Sequence, residues 1–447
     1  MIESINKNLH DSRDIDHLPP LSPEKETEVL VLGGGPAGAT AATILAQAGH
    51  QVLVVEREKF PRFHIGESFM PDTYWILRRL GMLDKMKTSQ FVRKYSVQFV
   101  NDSGKESQPF YFFENNPHEC SQTWQVVRSE FDQMMLNNAR EYGAEVREET
   151  RVIDVQFDGE SVKAVRVQNP DSSESIIRAK VVVDASGQSS IIANRLKIRE
   201  SDNRLKKASI WAYFKGAKRE PAKLDEGATL VLQTKGKKGW FWYIPQHNDI
   251  VSVGVVSDLN YLFEEKLTPE EIFAREVENC PSIKSRIEGS ERVTNFFTTK
   301  DFSYRSKKVA GPNWTLIGDA FGFLDPIYSS GLQLAFRSGA MAADAISAAL
   351  KTDIINEQKL REWEPAFLQG MNRLRNLVYA FYEGFSFGAF IRRFPEHQRH
   401  ITDLLIGDVF KEGLDEVWEP MALLQEEMKN QEAMQAVMSK DLQPIAV

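Results

Sequence analysis

Apolar positions fall in a repeating order near the start of the chain. Val29 to Leu32 is a continuous apolar run, the pattern of a strand covered on both faces. A glycine-rich turn follows. Ala41, Ala42, Ile44, Leu45 and Ala48 then recur at helical spacing until Gly49, which predicts a helix and its end. Val52 to Val55 is a second buried strand, closing at Glu56. Together these make a βαβ unit.

Farther along, TYWILRRLGMLDKM reads as a helix and RKYSVQFV alternates as a strand. VVRSEFDQMMLNNAREYGAEV predicts helix then strand, RVIDVQFDGESVKAVRVQ a hairpin, and AKVVVDASGQSS a buried strand ending in a small-residue loop. Residues 205–300 read as strand-rich. WTLIGDAFGFLDPIYSSGLQLAFRSGAMAADAI predicts strand, loop and a long helix from about Ser330. Helices with turns follow, and the final AMQAVMSKDLQPIAV is expected to be loose. No internal repeat and no low-complexity linker separates modules, so they are expected to interleave. The division is a flexible leader at 1–25, a core at 26–350 whose substrate module occupies about 60–125 and 205–300, and a helical region at 351–447 placed to cover an active site.

Composition narrows the classes. A chain of 447 residues is too long for one simple core, and 42% hydrophobic with 26% charged residues is ordinary globular material. Twenty-seven phenylalanines favour a large apolar pocket or lid. A net charge of −8 with no basic field argues against a nucleic-acid partner. Cys120 and Cys280 stand far apart, with no CxxC or Cys/His cluster, so neither a metal site nor a disulfide framework is expected. The polar N-terminus lacks the apolar stretch of a secretory signal, and no run of 18 apolar residues is present to span a membrane; a cytoplasmic location is expected.

Gly33-Gly34-Gly35-Pro36-Ala37-Gly38 matches GxGxxG. Gly33 permits the tight turn, Gly35 lets backbone approach a pyrophosphate, and Gly38 allows close helix packing. The helix start, at Pro36 and Ala37, offers its positive end to the phosphates. Glu56, at the end of the next strand and followed by Arg57, is placed to accept hydrogen bonds from ribose hydroxyls. A structural glycine turn is the alternative.

Three distant segments carry the next step. Asp184-Ala185-Ser186-Gly187 ends a strand beside the first, Gly318-Asp319 follows another, and Arg128 begins a helix. With these the chain resembles the flavoprotein monooxygenase superfamily. That resemblance implies an α/β, Rossmann-like FAD-binding fold with an interleaved strand-rich substrate module and a helical C-terminal region. It also implies that Asp319 holds the FAD ribityl chain. The helix after Asp325-Pro326 would then point its start, Ser330-Gly331-Leu332, at the flavin ring, where a positive helix end stabilises an anionic reduced flavin. A loop-capping aspartate is the alternative for Asp319.

Within that superfamily the chain is similar to the flavin-dependent halogenases. The similarity rests on FPRFHIGESFMP (Phe60 to Pro71), on Lys94 in RKYSVQFV, and on Trp240-Phe241-Trp242-Tyr243-Ile244-Pro245, which fits a WxWxIP signature. By strand alternation Trp240, Trp242 and Ile244 share one face, and Phe241, Tyr243 and Pro245 the other. The resemblance assigns Trp240, Trp242, Ile244 and Pro245 to a flavin wall that keeps substrate away from the ring; a plain core strand overlaps with that role. It implies that FADH2 reacts with oxygen to a C4a-hydroperoxide that oxidises chloride or bromide to hypohalous acid; with no second dinucleotide fingerprint in the sequence, a separate flavin reductase is expected to supply the FADH2. Lys94 would relay the halogen to an electron-rich substrate, and must be desolvated to do so. Arg93 before it and Tyr95 after it are expected to help lower its pKa; the alternative is one of many surface lysines. Ser330 and Gly331 at the helix start are the implied halide site, with simple helix capping as the alternative.

One position departs from the pattern. Tryptophan halogenases carry a glutamate two residues before the halide pair, and here that position is Tyr328. Free tryptophan is therefore not the expected substrate; a phenol, a pyrrole or a carrier-tethered aromatic is. Glu67 and His64 are the candidates for a general base, and His247 reads as a turn residue. Tyr379, Phe381, Tyr382, Phe385 and Phe390 form an aromatic patch that either lines a pocket or packs helices onto the core, with Arg392 and Arg393 beside it for an acidic carrier. A hydroxylase, a reductase of isoprenoid or quinone double bonds, and a flavin-binding interaction module remain the competing functions.

Overall fold

The computed structural model describes residues 25–220 and 224–441; the expected leader lies outside them, apart from its last residue. The expected βαβ unit is present as strand Lys25–Leu32, helix Pro36–Gln47 and strand Val52–Val55. Strand Lys25–Leu32 pairs in parallel with Val52–Val55 on one side and with Glu174–Asp184 on the other, and Trp314–Leu316 continues the parallel part. Val29 to Leu32 are completely buried, as covering both faces of a parallel sheet requires. The hairpin Arg151–Asp158 and Ser161–Gln168 extends this seven-stranded sheet antiparallel.

A second, eight-stranded sheet draws strands from two separate stretches. Ser96–Val100 and Phe110–Tyr111 come from the first, and Lys207–Lys215, Thr229–Gln233, Gly239–Pro245 and Ile250–Asp258 lead the second. Its two faces bury different cores. Trp211, Val231, Trp240, Trp242 and Ile244 join the large core shared with the first sheet. Leu230, Phe241, Tyr243 and Val253 pack instead against Ile272, Phe273 and Ile283 of helices Pro269–Glu278 and Pro281–Ile287. Each large side chain so buried contributes roughly 1.5–3 kcal/mol.

Three expectations change in detail. The helix expected over residues 73–86 is two, Thr73–Arg79 and Leu83–Thr88, because the chain reverses at Gly81 with φ +69°. The strand expected at 93–100 is also two. Val92–Lys94 pairs with Thr123–Gln125, while Ser96–Val100 joins the large sheet, so Lys94 ends one strand just before the chain changes sheets. The tail expected to be loose is helical as far as Asp441, consistent with its Ala, Met, Gln and Lys content, and residues 442–447 lie outside the described residues.

The C-terminal helices Glu364–Tyr382, Phe387–Arg393 and Gln398–Ile406 lie against the core. Asp72 ties the last of them to the long helix Ser330–Thr352: Arg337 Nη2 donates to its carboxylate at 2.6 Å, Gln333 donates to it as well, and its N–H donates to Ile406 O at 3.1 Å. Cys120 and Cys280 are buried free thiols. No helix among the described residues is long and apolar enough to cross a membrane.

Candidate functional site

Between the two sheets lies a cavity of about 760 Å³. The glycine turn forms one end. Gly33 has φ +110°, and a Cβ on Gly38 would stand 2.0 Å from Gly33 O, so the turn and the helix start close only with glycine at both. Gly35 differs: a Cβ there would meet nothing nearer than Arg62 Nη2 at 3.6 Å. Its face is open to the cavity, and no side chain caps the helix it begins. Glu56 accepts from Gly34 N–H at 2.8 Å and Glu58 N–H at 2.9 Å, tying the turn to the second strand while still lining the cavity. Arg57, Ala185 and Gly187 line the same end. Gly38 and Gly318 shape it from behind; Gly318 N–H donates to Ser338 Oγ at 2.8 Å on the long helix.

A buried ionic network borders the middle. Arg128 Nε and Nη2 form a bidentate pair with Asp132 at 2.8 and 2.9 Å, and Arg62 Nη1 reaches the same carboxylate at 2.9 Å. Burial opposes the charge on Asp132, yet Arg128 and Arg62 hold its pKa below the ordinary range. Arg128 also donates to Ile65 O and Gly66 O, at 2.6 and 3.2 Å, fixing the loop before Glu67. Asp319 lines the cavity, and no described residue donates a hydrogen bond to its carboxylate. Burial raises its pKa to about 6 against the pull of Arg128.

These features fit FAD. A carboxylate facing a cavity without a donor suits ribityl hydroxyls, and an uncapped helix start with an open glycine face suits a pyrophosphate.

Glu67 also lines the cavity and is buried, which raises its pKa, and Tyr213 O–H donates to it. Solvent reaches His64 through the cavity, but the dense protein around it and the Arg128 charge lower its pKa to about 4. His64 is therefore neutral at pH 7. His247 lies outside the cavity, with Nε2 3.0 Å from Glu130.

Trp240, Trp242 and Ile244 face the cavity. Trp242 Nε1 donates to Ser252 Oγ at 3.1 Å, and Trp240 Nε1 donates to Tyr382 Oη at 3.1 Å. Tyr382 O–H in turn donates to Asp325 at 2.9 Å, joining the tryptophan strand to the loop before the long helix. Burial raises the Asp325 pKa to about 7. Pro245 corrects the expected wall: alternation turns it away with Phe241 and Tyr243, and it does not line the cavity.

Helix Ser330–Thr352 begins after Ser329, which has φ 57° and makes no side-chain cap. Pro326, Gly331 and Leu332 line the cavity, whereas Ser330 is buried and does not. At this end only the backbone N–H of Gly331, of the expected halide pair, comes from a lining residue. Tyr328 is buried, its hydroxyl donating to Leu377 O at 3.3 Å and its ring edge-on to Phe381.

Lys94 is 4% exposed and does not line the cavity; it lies directly behind Ser68, which does. Its Nζ donates to Ser68 Oγ and Phe69 O, both at 2.9 Å. Burial alone lowers its pKa to about 7. The expected influence of Arg93 and Tyr95 is not part of this: Arg93 turns to Lys87 O and the face of Trp124.

The aromatic patch divides. Phe381 and Tyr382 contact Trp240, Tyr379 O–H donates to Asp202, and Phe385 and Phe390 pack together in the tail. None of the five lines the cavity. Arg62, Asp132, Tyr213, Ser68 and Thr229 were not singled out in the sequence. Asp132, four residues after Arg128 on one helix face, carried a local signal, and Arg62 and Ser68 stand within the Phe60 to Pro71 segment.

Residues 26–354 match the FAD binding domain family. The 1H-pyrrole-2-carbonyl-(peptidyl-carrier protein) chlorinase of Pseudomonas fluorescens is 32% identical over 428 residues, which is 90% of this chain and 94% of that protein. The corresponding brominase of Pseudoalteromonas luteoviolacea is 33% identical over 333 residues, 74% of this chain and 79% of that one. The structure of the flavin-dependent brominase Bmp2 superposes with a TM-score of 0.80 at 29% identity, covering 92% of this chain and all of that one.

Proposed function

Because the chain belongs to the flavin-dependent halogenase family, within the FAD binding domain proteins, we propose that it oxidises chloride or bromide and transfers the halogen through Lys94 to an electron-rich aromatic. The observation that carries this is Lys94. It is a buried amine one residue behind the cavity wall, held by two neutral acceptors and no carboxylate.

FAD would be held by the Gly33–Gly38 turn, Glu56, Arg57, Arg62, Ala185, Gly187 and Asp319, with Pro326, Gly331 and Leu332 beside the ring. Reduced by a separate flavin reductase, it supplies with oxygen the oxidising equivalent that converts halide to hypohalous acid. This chain's residues then direct that acid. The N–H of Gly331 and the positive start of the long helix hold the halide without a full charge that would quench it. Trp240, Trp242 and Ile244 deny the substrate a place beside the ring, which disfavours hydroxylation. A neutral Lys94 attacks the halogen of hypohalous acid, its nitrogen loses a proton, and water leaves. The aromatic carbon then takes the halogen while the lysine nitrogen takes up a proton and leaves as the neutral amine; the ring proton passes to a base, for which Glu67 and His64 are candidates. With Tyr328 at the position of the tryptophan halogenases' glutamate, the substrate is a phenol or pyrrole, free or tethered to a carrier protein; the pyrrole-carrier names of two relatives support the tethered form.

Turnover with an added flavin reductase, bromide and a panel of phenols and pyrroles, free and as carrier thioesters, tests this. A bromine isotope doublet in a product, lost in Lys94→Ala, is expected. Oxygen inserted into the ring instead would replace this account with hydroxylation.

A further inference from the structure

Lys94 must exchange a proton on every turnover, yet no carboxylate or imidazole among the described residues reaches its Nζ. Its surroundings are neutral: Ser68 Oγ, Phe69 O, the Phe112 ring at 5.5 Å, and Thr123 opposite it in the strand pair. One acceptor, Phe69 O, is fixed backbone. The other is a hydroxyl, and it leads to the cavity. Ser68 Oγ lies 3.0 Å from Thr229 Oγ1, and both residues line the cavity that Lys94 does not reach. Gln125 Nε2 donates to Thr229 Oγ1 at 2.8 Å and to Gly227 O at 3.0 Å. With one Thr229 lone pair taken by Gln125 and the other by Ser68, the Thr229 proton is left to point into the cavity.

We propose that Ser68 and Thr229 form a hydroxyl relay that moves a proton between Lys94 and the cavity, with Gln125 setting its direction. The lysine ammonium gives a proton to Ser68 Oγ as Ser68 gives its own to Thr229 Oγ1. Thr229 gives its own to water in the cavity. One proton leaves Nζ, one reaches water, and no heavy-atom bond changes. Both heavy-atom separations, 2.9 and 3.0 Å, are ordinary hydrogen-bond distances. Ser68 and Thr229 are thus positioning residues for the lysine chemistry, and the relay rests on the role given to Lys94 above.

The test uses FAD-loaded protein, photoreduced without oxygen and mixed with oxygenated bromide buffer. Peptide mass spectrometry measures bromine retained on Lys94 at pH 7 and pH 9, alongside FAD affinity. In Ser68→Ala, retention at pH 7 is expected to fall about tenfold and to recover toward wild type at pH 9, where the amine has already lost its proton. Thr229→Val should behave alike. Ser68→Thr and Thr229→Ser, which keep a hydroxyl, should retain most of the bromine. FAD affinity should stay within about twofold throughout. A Ser68→Ala loss equal at both pH values would mark a packing role and overturn the relay, as would no loss. Absence of bromine on Lys94 in the wild type would remove the lysine's role and the relay with it.

Discussion

At the scale of single residues, the chemistry depends on groups held away from their ordinary protonation. Lys94 titrates near 7 when folded and near 10.5 when unfolded. Between those values the unfolded chain carries a proton that the folded chain lacks, so stability rises with pH across that window. Below 7 both forms are charged and the cost of burying the amine is fully present. Lys94→Met should abolish this slope: denaturation from pH 6 to 10 should show wild type gaining up to a few kcal/mol relative to the variant. Parallel profiles would mean that the amine is not desolvated. Asp319 makes a separate prediction. Its undonated carboxylate is assigned to the flavin's ribityl hydroxyls, and a charge-assisted hydrogen bond contributes about 1.5–3 kcal/mol. Asp319→Asn should therefore weaken FAD binding roughly ten- to hundredfold in a fluorescence titration, with melting of the FAD-free protein little changed.

At the scale of elements, the tryptophan strand shows what periodicity can and cannot convey. Its alternation placed Trp240, Trp242 and Ile244 on one face, as observed, and Pro245 on the other. The partner that makes room for Trp242 was not legible. Gly254 sits across from Trp242 on one side and Trp211 on the other, and a Cβ there would stand 2.2 Å from the Trp242 ring and 2.5 Å from Trp211 Cβ. Gly254→Ala should push the Trp242 ring toward the cavity, lowering FAD affinity at least fivefold and costing about 1–3 kcal/mol of stability. Unchanged affinity would show that the ring is not a wall. Helices Pro269–Glu278 and Pro281–Ile287 were hidden by the strand-rich stretch around them, although Thr268 and Glu271 form a capping box with its own local signature. The glycine turn was legible because its whole chemistry lies within one βαβ unit.

At the scale of the molecule, the site is assembled by contacts too distant in sequence to read. Ser68 meets Thr229 across 161 positions, and Tyr213 meets Glu67 across 146. Only folding joins them, whereas Lys94, Asp319 and the tryptophans each stand in a short pattern. Helix Glu364–Tyr382 adds a long-range latch, since Tyr382 bridges Trp240 and Asp325. Tyr382→Phe leaves a buried carboxylate oxygen without its donor and frees the indole. It should lose about 1–3 kcal/mol of stability and release more hydrogen peroxide per flavin oxidised. The central claim, that halide captures the oxidising equivalent, is tested most directly by that peroxide. FAD-loaded protein, photoreduced and mixed once with oxygenated buffer, should release much less hydrogen peroxide with bromide than without, the difference appearing as halogen trapped by a small added amine. Equal peroxide in both, with no trapped halogen, would contradict the account.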